Sequence, residues 1–448
     1  METVVVQGPK GRPITGNLVK FRQDPLSFLQ AAANDFGELV SIRFGPTRTI
    51  YLINNPELIR EILVAKEKHF KKAKGLQVAK VVVGEGILTS EGEKHLRQRR
   101  LMSPFFQKGK VSRYADSMVE HTEKVIDRWR DGDERNISQD MMELTLSIIT
   151  ETMFGTDVSD ELADIGDSIE IGLHYVSRKA SSFLDLPLSF PTKMNRQFQQ
   201  SAETLDRVIY SIIEKRRNSP DQEREDLLSK LLSARDEADG TGMTDEEVRD
   251  EVMTIFLAGH ETTANTLSWT WYLLATYPEV EHKFWAELDR VLGGRKPTYE
   301  DLENLPYLNH IIQESLRLYP AAWAINREVV EDVEIGNYRF AKGDTVMMSQ
   351  FVMHRNPDYF QRPEDFIPER FEEDLLKKIP PFAYFPFGGG SRVCIGNHFA
   401  LMETALILAT IGQKYELQFL GDPATVEPEP LVTLRPKNGI PMTVKKRK

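Results

Sequence analysis

From Thr244 to about Tyr277 the chain keeps one helical pattern, some 33 residues with Pro278 behind it. Its start is marked by "TDEE", in which Thr244 can cap the helix and Glu247, three residues on, can close a capping box. At 1.5 Å per residue such a helix is roughly 50 Å long. It must cross an entire domain, and a chain of 448 residues, 40% of them hydrophobic, can build one of that size. Its middle, "FLAGHETTANT", puts Ala258, Gly259, Glu261, Thr262 and Thr263 where a buried helix carries Leu or Ile. An interior glycine costs about 1 kcal/mol relative to alanine, so something must approach this stretch closely.

The rest of the pattern is mostly helical. Apolar residues recur at spacings of three and four over 92–103, 110–130, 137–154, 158–177, 193–216 and 224–238. "GELVSIRFGPTRTIYLI" (37–53) alternates around a Gly-Pro turn and predicts a β-hairpin. Strand-like pieces return near 333–349 and 413–445, while 214–226 and 236–243 read as exposed connections. No repeat or low-complexity tract interrupts the chain. The expected fold is mainly α: one large helical domain over 1–448, with small sheets towards each end. Within it lie a β-rich part over about 1–60 and a helical body over about 61–330.

A net charge of −11 argues against nucleic-acid binding. The N-terminus lacks a basic and apolar leader, and no 18 apolar residues run together. The expectation is a cytoplasmic protein without a transmembrane segment.

The single cysteine, Cys394, lies in "FGGGSRVCIG" (387–396), directly before the helical pattern of "IGNHFALMETALILATIGQKY". A helix N-terminus favours thiolate over thiol, and Gly388, Gly389, Gly390 and Gly396 permit positive φ and close approach to a large flat object. A lone cysteine is often only a small buried hydrophobe. Cradled by amides, it becomes a candidate nucleophile or metal ligand. Structural zinc and iron–sulfur clusters need several such ligands, whereas haem iron needs one. Three further fragments are weak alone. Glu314 and Arg317 of "ESLR" sit at i and i+3, "FIPERF" (366–371) says turn and packing, and "GEKHLRQRR" (92–100) gathers His95, Arg99 and three more cations on one helix.

Together, in order and over nearly the whole chain, these fragments resemble the cytochrome P-450 superfamily, in particular its soluble bacterial-type members served by a separate reductase. "FGGGSRVCIG" matches the family's F-x-x-G-x-R-x-C-x-G loop at every fixed position, and "AGHETT" resembles its acid–threonine segment. The resemblance implies haem b as cofactor, with Cys394 as the axial iron ligand and Phe387 and Gly388 beside the sulfur. It implies that Arg392, Arg327, His95 and Arg99 hold the haem propionates. His95 stands where many members have Trp. Glu314, Arg317 and Arg370 would form a buried structural triad. Thr262 is implied as the hydroxyl that donates to dioxygen, with Thr263 as the alternative, Glu261 relaying protons and His260 facing away. Ala258 and Thr262, four apart, share one helix face. Leu88, Ala258, Thr262, Ala322, Ala324 and Ile325 are the expected substrate pocket, roofed by 171–190 and 431–435.

The implied reaction inserts one atom of O2 into a lipophilic molecule, a fatty acid, terpenoid or steroid, by hydroxylation or epoxidation. No P-loop or dinucleotide fingerprint is present, so electrons are expected from a separate NAD(P)H-linked donor, a flavodoxin-like FMN protein or a ferredoxin. Lys94, Arg97, Arg100, Lys108 and Lys110 form the expected docking patch for an acidic partner. The alternatives are a haem-thiolate sensor, a peroxide-driven hydroxylase and a cysteine hydrolase.

Overall fold

The computed structural model describes residues 6–156, 162–180, 187–218, 226–235 and 240–447. The long pattern is one helix of 32 residues, Asp245–Thr276. Its capping box closes in both directions: Glu247 N–H donates to Thr244 Oγ1 (3.2 Å) and Thr244 N–H to the Glu247 carboxylate (2.9 Å). The helix ends at Tyr277, because the residue before a proline is pushed out of helical geometry.

This helix lies along Ile137–Phe154, and there Gly259 finds its reason. A Cβ on Gly259 would sit 2.8 Å from Ile149 Cδ1. The close approach inferred from the sequence is therefore helix to helix. Helices Ala115–Ile126, Lys193–Arg217, Pro278–Leu292, Pro306–Leu318 and Asn397–Lys414 contribute to the same apolar core.

Two expected helices are shorter than their periodicity. The 110–130 pattern splits into Lys108–Val111, a tight turn at Ser112–Tyr114, and Ala115–Ile126. Among the described residues of the 224–238 pattern the helix is Leu227–Ser233, where Asp226 caps the start by accepting from Ser229 N–H at 2.8 Å. Residues 236–239 and the connection 219–225 lie outside the described residues.

The hairpin forms as Leu39–Phe44 and Arg48–Ile53. It belongs to a five-stranded sheet in the order 39–44, 48–53, 345–348, 325–329 and 70–72, with only the pair 48–53/345–348 parallel. The chain's beginning and its last third are thus stitched into one sheet. The expected β-rich 1–60 is corrected: helices Leu18–Gln23, Pro25–Phe36 and Pro56–Arg60 outweigh the two strands there. The "DP" step explains the middle one, because Asp24 accepts from Ser27 N–H (3.0 Å) and Pro25 opens the first turn. A second sheet pairs Pro441–Lys446 with Glu134–Asn136 and Tyr415–Phe419. Among the described residues no helix is long and apolar enough to cross a membrane.

Candidate active site

Glu314, Arg317 and Arg370 meet as expected. Glu314 takes Arg317 on both oxygens (2.7 and 2.8 Å) and Arg370 Nε on one (2.8 Å). Both Glu314 and Arg317 are fully buried. Arg317 also donates to the carbonyls of His354 (2.9 Å), Pro363 (2.6 Å) and Asp365 (3.0 Å). His354 Nε2 in turn accepts from Phe385 N–H at 2.9 Å. The triad thereby grips the backbone that leads into the cysteine loop.

In that loop Gly388 N–H donates to Phe385 O and Cys394 N–H to Phe387 O, both at 2.9 Å. Gly388 (φ +72°) and Gly390 (φ +68°) are left-handed, whereas Gly389 and Gly396 are not. At Gly390 a Cβ would lie 1.9 Å from Leu63 O, so part of the glycine run serves packing against the protein's own backbone. Cys394 is open to a cavity of about 1620 Å³ and otherwise deep in the protein. Burial pushes its thiol pKa up, against the pull of Gly396 N–H and the Arg99 charge. The amide at the helix start favours thiolate, as expected, but burial outweighs it. A bound cation would supply the missing charge.

His95, Arg99, Arg327 and Arg392, all expected here, line this cavity. Lys72 joins them, unread in the sequence, because its strand pairs residue for residue with Arg327. Burial and the neighbouring Arg392 lower Arg327 to about 10, Lys72 to about 7 and His95 to about 3. His95 is therefore neutral at physiological pH. Two acids face the group: Glu91 pairs with Arg392, and Glu67 accepts from Ser391 N–H at 3.2 Å. Desolvated cations that repel one another and outnumber their acids make a cradle for anionic groups. Arg99 also anchors the loop by donating to Val393 O at 2.8 Å.

The central helix lines the same cavity with Ala258 and Thr262, and the Thr262 hydroxyl donates to Ala258 O at 2.9 Å. Thr263 is nearly fully buried, and its hydroxyl faces the buried Glu403 carboxyl of Asn397–Lys414. His260 lies off the cavity, its Nδ1 2.7 Å from Phe256 O. Glu261 lines the cavity but is shut off from solvent, and burial raises its pKa to about 7. It accepts from the Thr433 hydroxyl, which Asn265 also contacts at 3.2 Å. Glu261 is thus tied to the turn that carries Thr433.

Leu88, Ala322, Ala324, Ile325, Phe387 and Gly388 all line the same cavity. Of the expected roof, Gly172, Leu173, Val176 and Leu431 to Thr433 do so, while 181–186 lie outside the described residues. Two cations of the expected docking patch are engaged within the protein. Arg97 turns to the start of the central helix, bonding Glu247 (3.2 Å) and Gly242 O (3.1 Å), and Lys94 pairs with Glu85 at 3.0 Å.

One thiol on a glycine-rich loop, sharing a cavity with a threonine on a long helix and with an anion cradle, defines a class of protein whose cofactor hangs on a single sulfur. Comparison with known proteins makes this specific. The family model described as Cytochrome P450 matches residues 6–442, and the chain belongs to that family. It is 36% identical to cyclooctatin synthase of Streptomyces melanosporofaciens, over 95% of this chain and 92% of the relative. Pentalenene oxygenase of Streptomyces avermitilis is 33% identical over 95% of this chain and 94% of its own length. A Bacillus cereus protein named bifunctional cytochrome P450/NADPH–P450 reductase is 32% identical over 91% of this chain, which spans 39% of that longer protein. The chain is an oxygen-incorporating oxidoreductase. Its family implies a haem-thiolate cofactor, and the single open thiol, the cavity volume and the surplus of cations fit that group.

Proposed function

We propose that this protein hydroxylates or epoxidises a lipophilic terpenoid-class substrate, using haem b and electrons from a separate NAD(P)H-linked donor. The observation that carries the reading is that Cys394 and Thr262, from the cysteine loop and the central helix, line one large cavity whose remaining lining is mainly apolar. The names of the Streptomyces relatives support the substrate class.

Haem, when bound, supplies redox-active iron and the activation of O2. This chain's own residues do the rest. Cys394 would hold the iron through its sulfur, with Gly396 N–H and Arg99 moderating its charge. Arg99, Arg327 and Arg392, with His95 as a neutral N–H donor, hold the propionates. Thr262 supplies a hydroxyl over the reacting centre, and Glu261, titrating near neutrality, stores a proton beside it. Leu88, Ala258, Ala322, Ala324 and Ile325 exclude water and set the substrate's pose.

The test is the spectrum of the reduced, CO-bound protein, followed by product analysis against a terpenoid panel. Wild type should give the red-shifted band of thiolate ligation. Cys394→Ala should lose both the band and turnover while keeping its far-UV circular dichroism. Full activity in Cys394→Ala would refute the reading.

A further inference from the structure

Residues 84–91 carry Leu88 to the cavity, and they are pinned from two sides. From the central helix, Asp250 accepts from Glu85 N–H (2.7 Å) and Glu251 from Ile87 N–H (3.0 Å). From the other side Lys72 Nζ donates to Ile87 O (3.3 Å), to Leu88 O and to Ser90 O (3.5 Å). Arg392 Nη1 joins at Ser90 O, 2.7 Å away. An ammonium has three donors, and here the carbonyls of one short segment take them all.

Lys72 is only 6% exposed, and it stands among Arg327, Arg392 and His95. A buried ammonium is costly unless a negative charge balances it. Glu91, the acid beside it, is already shared with Arg392, and it accepts Lys72 through the backbone N–H at 2.8 Å. Carbonyl oxygens satisfy its protons without neutralising its charge. The strand that bears Lys72 is tied to Arg327's strand, so the ammonium stands on a rigid base.

We propose that Lys72 is a positioning residue with two attachments: it fixes the segment that carries Leu88, and its charge is balanced by a haem carboxylate. The space above the iron is then shaped from the cofactor's edge. This inference rests on the haem-thiolate reading given above.

Two measurements on the holoprotein test it. Imidazole and 4-phenylimidazole both ligate the iron, but only the phenyl ring must share space with Leu88, so the ratio of their dissociation constants reports that side chain's position. Transfer of haem to apomyoglobin reports the grip on the carboxylate and needs no turnover. Lys72→Met should shift the ligand ratio several-fold, in the same direction as Leu88→Ala, and speed haem transfer about tenfold, because the carboxylate loses a balancing charge. Leu88→Ala should shift the ratio alone. Lys72→Arg keeps the charge but spreads its donors in a plane. It should transfer haem at the wild-type rate with a shifted ratio, and it decides the matter if the Met variant fails to hold haem. A wild-type ratio in Lys72→Arg, or wild-type haem transfer in Lys72→Met, overturns the proposal. Absence of the thiolate-type CO band in the wild-type protein would instead refute the haem reading, and this inference with it.

Discussion

Glu314→Gln removes one charge from the centre of the buried triad. The carboxylate accepts four hydrogen bonds: two from Arg317 (2.7 and 2.8 Å), one from Arg370 (2.8 Å) and one from Ile367 N–H (2.9 Å). With an amide in its place, two guanidiniums remain buried against a dipole, and the new NH2 points donors at donors. Breaking a buried pair from one side costs about 3–5 kcal/mol. Folded proteins hold about 5–15 kcal/mol in total, so the loss is a large share. The damage should be directional. Arg317 holds His354 O, and the His354 ring holds Phe385 N–H at the mouth of the cysteine loop. Urea titration followed in parallel by tryptophan fluorescence and haem absorbance would measure both effects. Both midpoints should fall, the haem signal should be lost first, and the thiolate-type CO band should be diminished even without urea. A stability loss below about 1 kcal/mol with an unaltered CO band would refute the argument that this network supports the loop.

Thr262→Ala should retain haem and the CO band while diverting reducing equivalents to peroxide, measured as product formed per NADPH consumed. If Thr263→Ala uncouples and Thr262→Ala does not, the assignment is reversed. Glu261 titrates from an ordinary value of 4.5 to about 7 in the folded protein, with burial as the main cause. Its neutral form therefore stabilises fully below 4.5, and that contribution fades as pH rises to about 7. Wild type should lose more stability than Glu261→Gln between pH 5 and pH 8, and parallel urea midpoints in the two proteins would rule this out. For the electron donor, Arg100, Lys108 and Lys110 are the most exposed cations of the expected patch, and Lys108 lies 3.8 Å from Glu303. Reversing these three to Glu should slow reduction by an acidic donor, with an effect that fades as the Debye length falls from ~10 Å at 0.1 M salt to ~3 Å at 1 M. Arg97→Glu should leave reduction unchanged, and rates blind to both charge and salt would dismiss steering.

Local spacing carried much of this protein in plain view. The capping box at Thr244, the long helix, the hairpin and the i, i+3 pair of Glu314 and Arg317 each depend on residues within one or two turns of each other, where sequence distance is spatial distance. The loop 387–396 was legible for the same reason, as one short stretch holds the thiol, its glycines and the helix behind it. What tertiary structure alone decided is which distant polar groups meet inside. Lys72 reaches the cation cradle through strand pairing with Arg327, and Glu261 finds Thr433 across the cavity. Gly259 answers to Ile149 on another helix, and Arg97 bonds Glu247 of the central helix. None of these contacts leaves a local trace, because a buried polar atom is satisfied by whatever partner the packed backbone brings within about 3 Å. Periodicity tells which face of a helix is buried, but only the packing of the whole chain determines what lies on the other side.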